Sequence, residues 1–207
     1  SLHMFPDGTG WASHPSNSAV YHTSDGGLNW VAVYESPGGP IYGEFYLDGS
    51  TAWLSCSDYG TLGSSILHTT DAGATWSKTS LDFTGGKLYF LDKNVGFMFC
   101  GDRLIENDLI TFYSTRDGGQ TWDQSFTLSG NLFPNLQIRG LKPGITFRNA
   151  LEGWVTGTFY VNKYSYLYHT ADGELPGPIN PAILLKQILM HFFMPSPQYF
   201  LMLMKDC

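Results

Sequence analysis

Thr23-Ser-Asp-Gly-Gly-Leu-Asn-Trp30, Thr69-Thr-Asp-Ala-Gly-Ala-Thr-Trp76 and Thr115-Arg-Asp-Gly-Gly-Gln-Thr-Trp122 are three ungapped copies of one phrase, Thr-x-Asp-x-Gly-x-x-Trp. Their aspartates fall at 25, 71 and 117, a constant step of 46 residues. A fourth copy opens at Thr170-Ala-Asp172-Gly and then stops fitting. Glu174 stands where glycine is due, and no tryptophan follows. A fixed period of this length marks a chain of repeated supersecondary units, each burying its apolar face only against its neighbours.

The phrase reads as a hairpin turn. An apolar-alternating run precedes each copy (Ala19–His22, Ile66–His68, Phe112–Ser114, Tyr166–His169), and a second short strand is expected to start at each tryptophan. Asp25, Asp71, Asp117 and Asp172 can accept bonds from backbone N–H groups two or three residues on. Gly27, Gly73 and Gly119 supply the positive φ that closes a hairpin. The hydroxyls of Thr23, Thr69, Thr115 and Thr170 add a further local bond, and Trp30, Trp76 and Trp122 cover the turn from its apolar side. A calcium loop needs several oxygen ligands at alternate positions, whereas Asp25-Gly-Gly offers one carboxylate, so no metal is expected here.

Other signals keep step with the phrase. A Gly-Trp-like pair recurs at Trp11, Trp53, Phe97 and Trp154 and marks a second strand. Asp48, Asp92 and Asn149 stand five residues before the last three of these and end a first strand (Ile41–Leu47, Lys87–Leu91, Ile145–Arg148). With the strand before the turn and the strand after it (Asn29–Tyr34, Thr75–Thr79, Thr121–Phe126), each unit has four strands.

The phrase resembles the Asp-box, or bacterial neuraminidase repeat, which in that family lies between the third and fourth strands of a β-propeller blade. The resemblance covers residues 5 to 173 and implies an all-β, partial β-propeller of about three and a half four-stranded blades. The expected bounds are 5–36, 40–80, 86–127 and 144–173, with blade one lacking a clear inner strand and blade four its outer one. Propellers close with typically four to eight blades, and an unclosed array leaves strand edges and faces bare. The chain then reads as half of a seven-bladed ring, completed by more sequence, by its own tail or by a second copy in a homodimer.

Composition agrees and excludes some functions. Aromatic residues at 15%, charged residues at only 14% and 24 glycines suit an all-β chain rich in turns. A net charge of −7, with 11 Lys and Arg thinly spread, gives no nucleic-acid footprint. Three cysteines (56, 100 and 207) are no disulfide framework. No signal peptide or membrane span is legible. Ser1-Leu-His-Met4 looks like a remnant of an expression tag, so a native leader would have been removed. The resemblance implies an extracellular or bacterial cell-surface location.

The segment 174–207 falls outside the pattern. Leu175-Pro-Gly-Pro-Ile-Asn-Pro181 breaks any strand. Ala182–Met194 reads as an apolar helix too short to span a bilayer. Four of the six methionines follow residue 189. Either this tail covers the open end of the array, or the reading frame was lost near Gly173 and the tail is non-native; the abandoned fourth phrase favours the second.

Few residues are free to carry chemistry. Cys56 and Cys100 occupy one position in adjacent blades and read as packing thiols. His22, His68 and His169 share another, with Ser114 in the third blade; equivalent positions on separate blades diverge, which argues for structural hydrogen bonds and against a metal site. Glu44 is the exception, a carboxylate aligned with Leu88 and Ile145 on otherwise apolar inner strands. It is costly there unless paired and is a weak catalytic candidate. Arg148, beside Asn149, is a candidate anion contact. From Asp-box aspartate to the next Gly-Trp aromatic the chain runs 28, 26 and then 37 residues. The surplus, Ser129–Pro143, marks a loop of the kind that binds ligands and makes Phe133 and Arg139 candidate contacts.

Two functions follow from the resemblance. A sialidase-like glycoside hydrolase would need three converging arginines, a Tyr–Glu pair and an acid aspartate. This chain has four arginines (103, 116, 139 and 148), one of them inside a turn, and no Arg-Ile-Pro start. Two-carboxylate hydrolysis needs a facing pair, and Glu44 has no evident partner. The wording around the Gly-Trp pair and His-Thr-x-Asp-Gly-Gly is nearer to the photosystem-assembly-factor-like propellers. That likeness implies a non-catalytic scaffold without cofactors, holding a protein or glycan partner.

Overall fold

A computed structural model describes residues 1–14, 18–37, 39–58, 63–101, 109–129, 141–158 and 165–170. Every element in it is a strand, and the strands form four antiparallel sheets in chain order. The first comprises β1 (Leu2–Met4), β2 (Gly10–His14), β3 (Ala19–Thr23) and β4 (Val31–Glu35). The second comprises β5 (Ile41–Tyr46), β6 (Ala52–Ser57), β7 (Ser64–Thr69) and β8 (Ser77–Leu81). The third comprises β9 (Lys87–Phe90), β10 (Gly96–Gly101), β11 (Leu109–Thr115) and β12 (Asp123–Ser129). The fourth has three strands among the described residues, β13 (Leu141–Phe147), β14 (Gly153–Thr158) and β15 (Ser165–Thr170).

Each sheet pairs strictly in sequence order, and the first strands of successive sheets meet: β5 lies against β9, and β9 against β13. Sheets stacked face to face about their innermost strands are the blades of a β-propeller, and this chain is a partial one. The core lies between the blades. Trp11, Val20, Tyr46, Leu54, Cys56 and Leu67 fill the joint of the first two sheets. Trp53, Ile66, Leu88, Phe90, Met98 and Cys100 fill the joint of the second and third. Cys56 and Cys100 are buried free thiols in this packing.

Three expectations need correction. Blade one does have an inner strand: Leu2–Met4, read from sequence as tag remnant, pairs with β2 through Leu2↔Ala12, His3↔Trp11 and Met4↔Gly10. Three residues of no distinctive composition leave little periodicity to read, and only the partner strand reveals them. The strand after each turn begins one residue past its tryptophan, at Val31, Ser77 and Asp123. Arg148 lies beyond the end of β13, in the turn to β14. The expected helix at 182–194 and the rest of the tail lie outside the described residues. Among those residues no helix is long and apolar enough to cross a membrane.

The Gly-Trp pair acquires a physical reason. Glycine faces an inner-strand aromatic across the sheet in Phe90↔Gly96 and Phe147↔Gly153. A Cβ on Gly96 would run into the Phe90 ring, and one on Gly153 into the Phe147 ring. The small residue makes room for a ring lying flat on the strand. Blade two keeps the pairing as Tyr46↔Ala52, and blade one as Met4↔Gly10.

Candidate functional site

The repeated turn is a closed hydrogen-bond network. In the first copy Thr23 Oγ1–H donates to Asp25 Oδ1 at 2.8 Å, and Thr23 Oγ1 accepts from the Gly27 N–H at 3.1 Å. Asp25 Oδ1 accepts from the Asn29 N–H at 2.9 Å, and Oδ2 from the Asn29 side-chain amide at 2.7 Å. The second copy repeats this through Thr69, Asp71, Gly73 and Thr75. The third does so through Thr115, Asp117, Gly119 and Thr121. Thr23, Thr69 and Thr115 are buried, so their hydroxyls must be satisfied within the turn, and they are.

This geometry refines the sequence reading. The N–H that caps each aspartate lies four residues on, joined at Asp117 by the Gln120 N–H three residues on. The residue before each tryptophan (Asn29, Thr75, Thr121) is a required side-chain donor, legible in hindsight as a polar group in all three copies. Two consecutive residues take positive φ: Gly26 and Gly27, Ala72 and Gly73, Gly118 and Gly119. The indole N–H groups of Trp30 and Trp122 close on the carbonyls of Gly27 and Gly119 at 3.1 Å. Trp76 does not. Val33 of the preceding blade packs against Gly73, and the Trp76 N–H donates to the Val33 carbonyl at 3.0 Å.

Hydrogen bonds to the charged form hold all three carboxylates down, to about 2. For Asp25 the Asn29 backbone and side chain dominate, and for Asp71 the Thr75 hydroxyl and backbone. At Asp117 desolvation works upward and is outweighed by Thr121, Thr115 and Gln120. A second device sits beside the turn. Asp48, Asp92 and Asn149 cap the loops between first and second strands, accepting from the N–H groups of Ser50 and Thr51, Asn94 and Val95, and Leu151 and Glu152. Those loops bond to the turns: Gly26, Ala72 and Gly118 donate to the carbonyls of Gly8, Ser50 and Asn94 at 2.8–2.9 Å.

The histidines have a shared role that differs from the one expected. Each lies against the second-strand tryptophan of its own blade, with centroids 4.7 Å apart for His22–Trp11, 4.6 Å for His68–Trp53 and 4.9 Å for His169–Trp154. The next blade's inner aromatic stacks on the second-strand ring, in Trp11–Tyr46 at 5.4 Å, Trp53–Phe90 at 3.8 Å and Phe97–Phe147 at 3.6 Å. Their polar atoms follow no common scheme. His22 Nε2 bonds the Gly49 carbonyl at 2.8 Å, and His169 Nε2 faces Glu152 at 3.5 Å. His68 Nε2 is buried with no partner among the described residues, and desolvation lowers its pKa. Tyr46, Phe90 and Phe147 stand two residues before Asp48, Asp92 and Asn149, a periodic signal that the sequence reading missed.

Glu44 lies on β5 opposite Leu54, as Leu88 lies opposite Met98 and Ile145 opposite Val155, so its alignment with those apolar positions is correct. It is only half-buried, and Tyr46 is its neighbour on the same strand face. Arg148 is exposed and pairs with Glu152 at 3.2 Å. Among the described residues no three His, Cys, Asp or Glu side chains converge as a metal site. Phe133, Arg139, Asp172 and the side chain of Thr170 lie outside the described residues.

No protein-family model matches this chain, and no curated protein matches it in sequence. Solved structures do. A GH74 enzyme of Niastella koreensis matches with 14% identity and a TM-score of 0.57, over 83% of this chain and 27% of the enzyme. The GH93 α-L-arabinofuranosidase of Fusarium graminearum matches with 14% identity and a TM-score of 0.52, over 84% of this chain and 62% of the enzyme. YCF48, solved with a D1 peptide, is 16% identical over 84% of this chain and 77% of its own, with a TM-score of 0.47. At such identities the likeness to the two enzymes defines the fold alone: the protein is a β-propeller. It spans less than two thirds of either enzyme.

Proposed function

We propose that this chain is a non-catalytic binding scaffold of the Asp-box type, secreted or displayed at a bacterial cell surface, for a protein or glycan partner. What supports the reading is where the repeated polar side chains are spent. Asp25, Asp71 and Asp117 each accept bonds on both oxygens from their own turn. Asp48, Asp92 and Asn149 cap loops, and His22, His68 and His169 pack against the second-strand tryptophans. Chemistry-bearing residues committed to the frame leave Glu44 as the one carboxylate on an inner strand among the described residues, and glycoside hydrolysis in its usual form uses two. Binding then falls to the connections that vary between blades, foremost the stretch 130–140 between β12 and β13, with Phe133 and Arg139.

Hydrolysis is the competing reading, and one assay separates the two. The purified protein is expected to release no chromophore from a panel of aryl-glycosides that includes a sialoside. Turnover that Glu44→Gln abolishes would overturn the scaffold reading.

A further inference from the structure

The three repeated histidines divide by what their Nε2 atoms meet. Each lies against the second-strand tryptophan of its own blade, so that contact does not distinguish them. His22 Nε2 meets the Gly49 carbonyl at 2.8 Å, an acceptor for an N–H at that position. His169 Nε2 faces the Glu152 carboxylate at 3.5 Å, an ion pair once the ring is charged. His68 Nε2 is buried and meets no acceptor among the described residues. Its ring lies 4.6 Å from Trp53 and within 4° of parallel, and Phe90 of the third blade stacks on the same Trp53 at 3.8 Å. His68 therefore adjoins the ring that joins the second sheet to the third.

Protonation turns both imidazole nitrogens into donors. A neutral ring can keep Nε2 as an idle lone pair, whereas a buried charged N–H without an acceptor costs far more. The charged groups on the elements around His68 do not offset that cost. On β8, Ser77 pairs with His68, and the adjacent Lys78 is bonded to Asp58. Asp71, in the turn after β7, is held by Thr69 and Thr75. β6 brings the buried thiol of Cys56 and no charge. β9 brings exposed Lys87 and Tyr89, whose hydroxyl donates to the Phe147 carbonyl. In the third blade's loop and turn, Asp92 is held by Asn94 and Val95 and Asp117 by Thr115 and Thr121, while Lys93 and Arg116 are exposed. Burial alone moves the His68 pKa, and moves it down.

We propose that His68 is an acid-sensitive catch: charging its ring loosens the joint between the second and third sheets, while His22 and His169 have acceptors for the N–H that the proton adds. A histidine that is harder to charge when folded leaves stability intact above its unfolded pKa, about 6.5, and takes it away as pH falls below that value. Each unit by which burial lowers the pKa makes opening about tenfold easier once the pH is below both values.

The test is hydrogen exchange of the full chain at pH 7.5 and pH 5.5, corrected for the intrinsic pH dependence and read by mass spectrometry; the interval brackets the ordinary histidine range and stays above that of the carboxylates. Protection of β6, β7 and β9 should fall at the lower pH, and that of β2 and β3 should hold. His68→Phe keeps a ring on Trp53 that cannot charge, and should abolish the fall; His22→Phe should leave it in place. If His68→Phe fails to fold, proton NMR of the wild-type ring decides, with His68 expected to titrate below about pH 6.5. Equal protection of the joint at both pH values, a fall that survives His68→Phe, or a His68 that titrates at or above the ordinary value overturns the proposal.

Discussion

Trp53 is where the interblade joint is most fully assembled, so truncating it tests the packing account directly. Its ring is 0% exposed, lies 3.8 Å from Phe90 at 9° and 4.6 Å from His68 at 4°, and donates to the Gly118 carbonyl at 2.8 Å. Trp53→Ala removes a fully buried side chain, which costs about 3–5 kcal/mol including the cavity. The orphaned carbonyl adds about 1 kcal/mol, giving a loss near 5 kcal/mol. Trp53→Phe keeps a ring on Phe90, as Phe97 keeps one on Phe147 at 3.6 Å, and forfeits the N–H bond and part of the volume. Its cost should be about 2 kcal/mol. At about 2–4 °C per kcal/mol for a chain of this size, calorimetry should show Tm falling by about 10–20 °C for alanine and about 4–8 °C for phenylalanine. A loss below about 2 kcal/mol for alanine would refute the claim that the core lies between the blades. Equal losses for the two variants would refute the role given to the ring stacked on Phe90.

Two further predictions concern the turns. Asp25, Asp71 and Asp117 have folded pKa values of about 2 against an ordinary carboxylate value of 3.8, so the stability they contribute is fully present above pH 4 and is lost as pH falls through 2. Urea midpoints should hold from pH 5 to about pH 4 and fall from there to pH 2, and Asp117→Asn should flatten that fall; an unchanged slope would contradict the bonding described. Ala72 takes φ 58° where the sibling turns have Gly26 and Gly118. Ala72→Gly should therefore stabilise by about 0.5–1 kcal/mol, the αL penalty offset by the greater backbone entropy of the unfolded chain. A fall in Tm would show that the strain is absent.

Much of the architecture was legible because a turn is a local object. Thr, Asp, Gly and Trp sit within eight residues and satisfy one another, so a phrase repeated every 46 residues announces strands on either side. What could not be read locally was anything that needs a second blade. The His–Trp–aromatic sandwich joins residues such as His68, Trp53 and Phe90 from three strands of two sheets. Trp76 leaves its own turn because Val33 from the preceding blade packs against Gly73. Arg148 shared a sequence neighbourhood with an inner strand, yet the strand ends one residue earlier and Glu152 takes its charge.

The amino-acid sequence by itself determined the repeat, the four-stranded unit and the roles of Asp25, Asp71 and Asp117, since short-range hydrogen bonding and a positive φ at Gly27, Gly73 and Gly119 need nothing beyond the turn. Only the tertiary structure decided that Leu2–Met4 is a strand, that glycine precedes the second-strand aromatic to make room for a flat ring, and that the histidines pack against the second-strand tryptophans. Those facts depend on which surfaces face each other across a sheet or between blades, and that information resides in long-range packing.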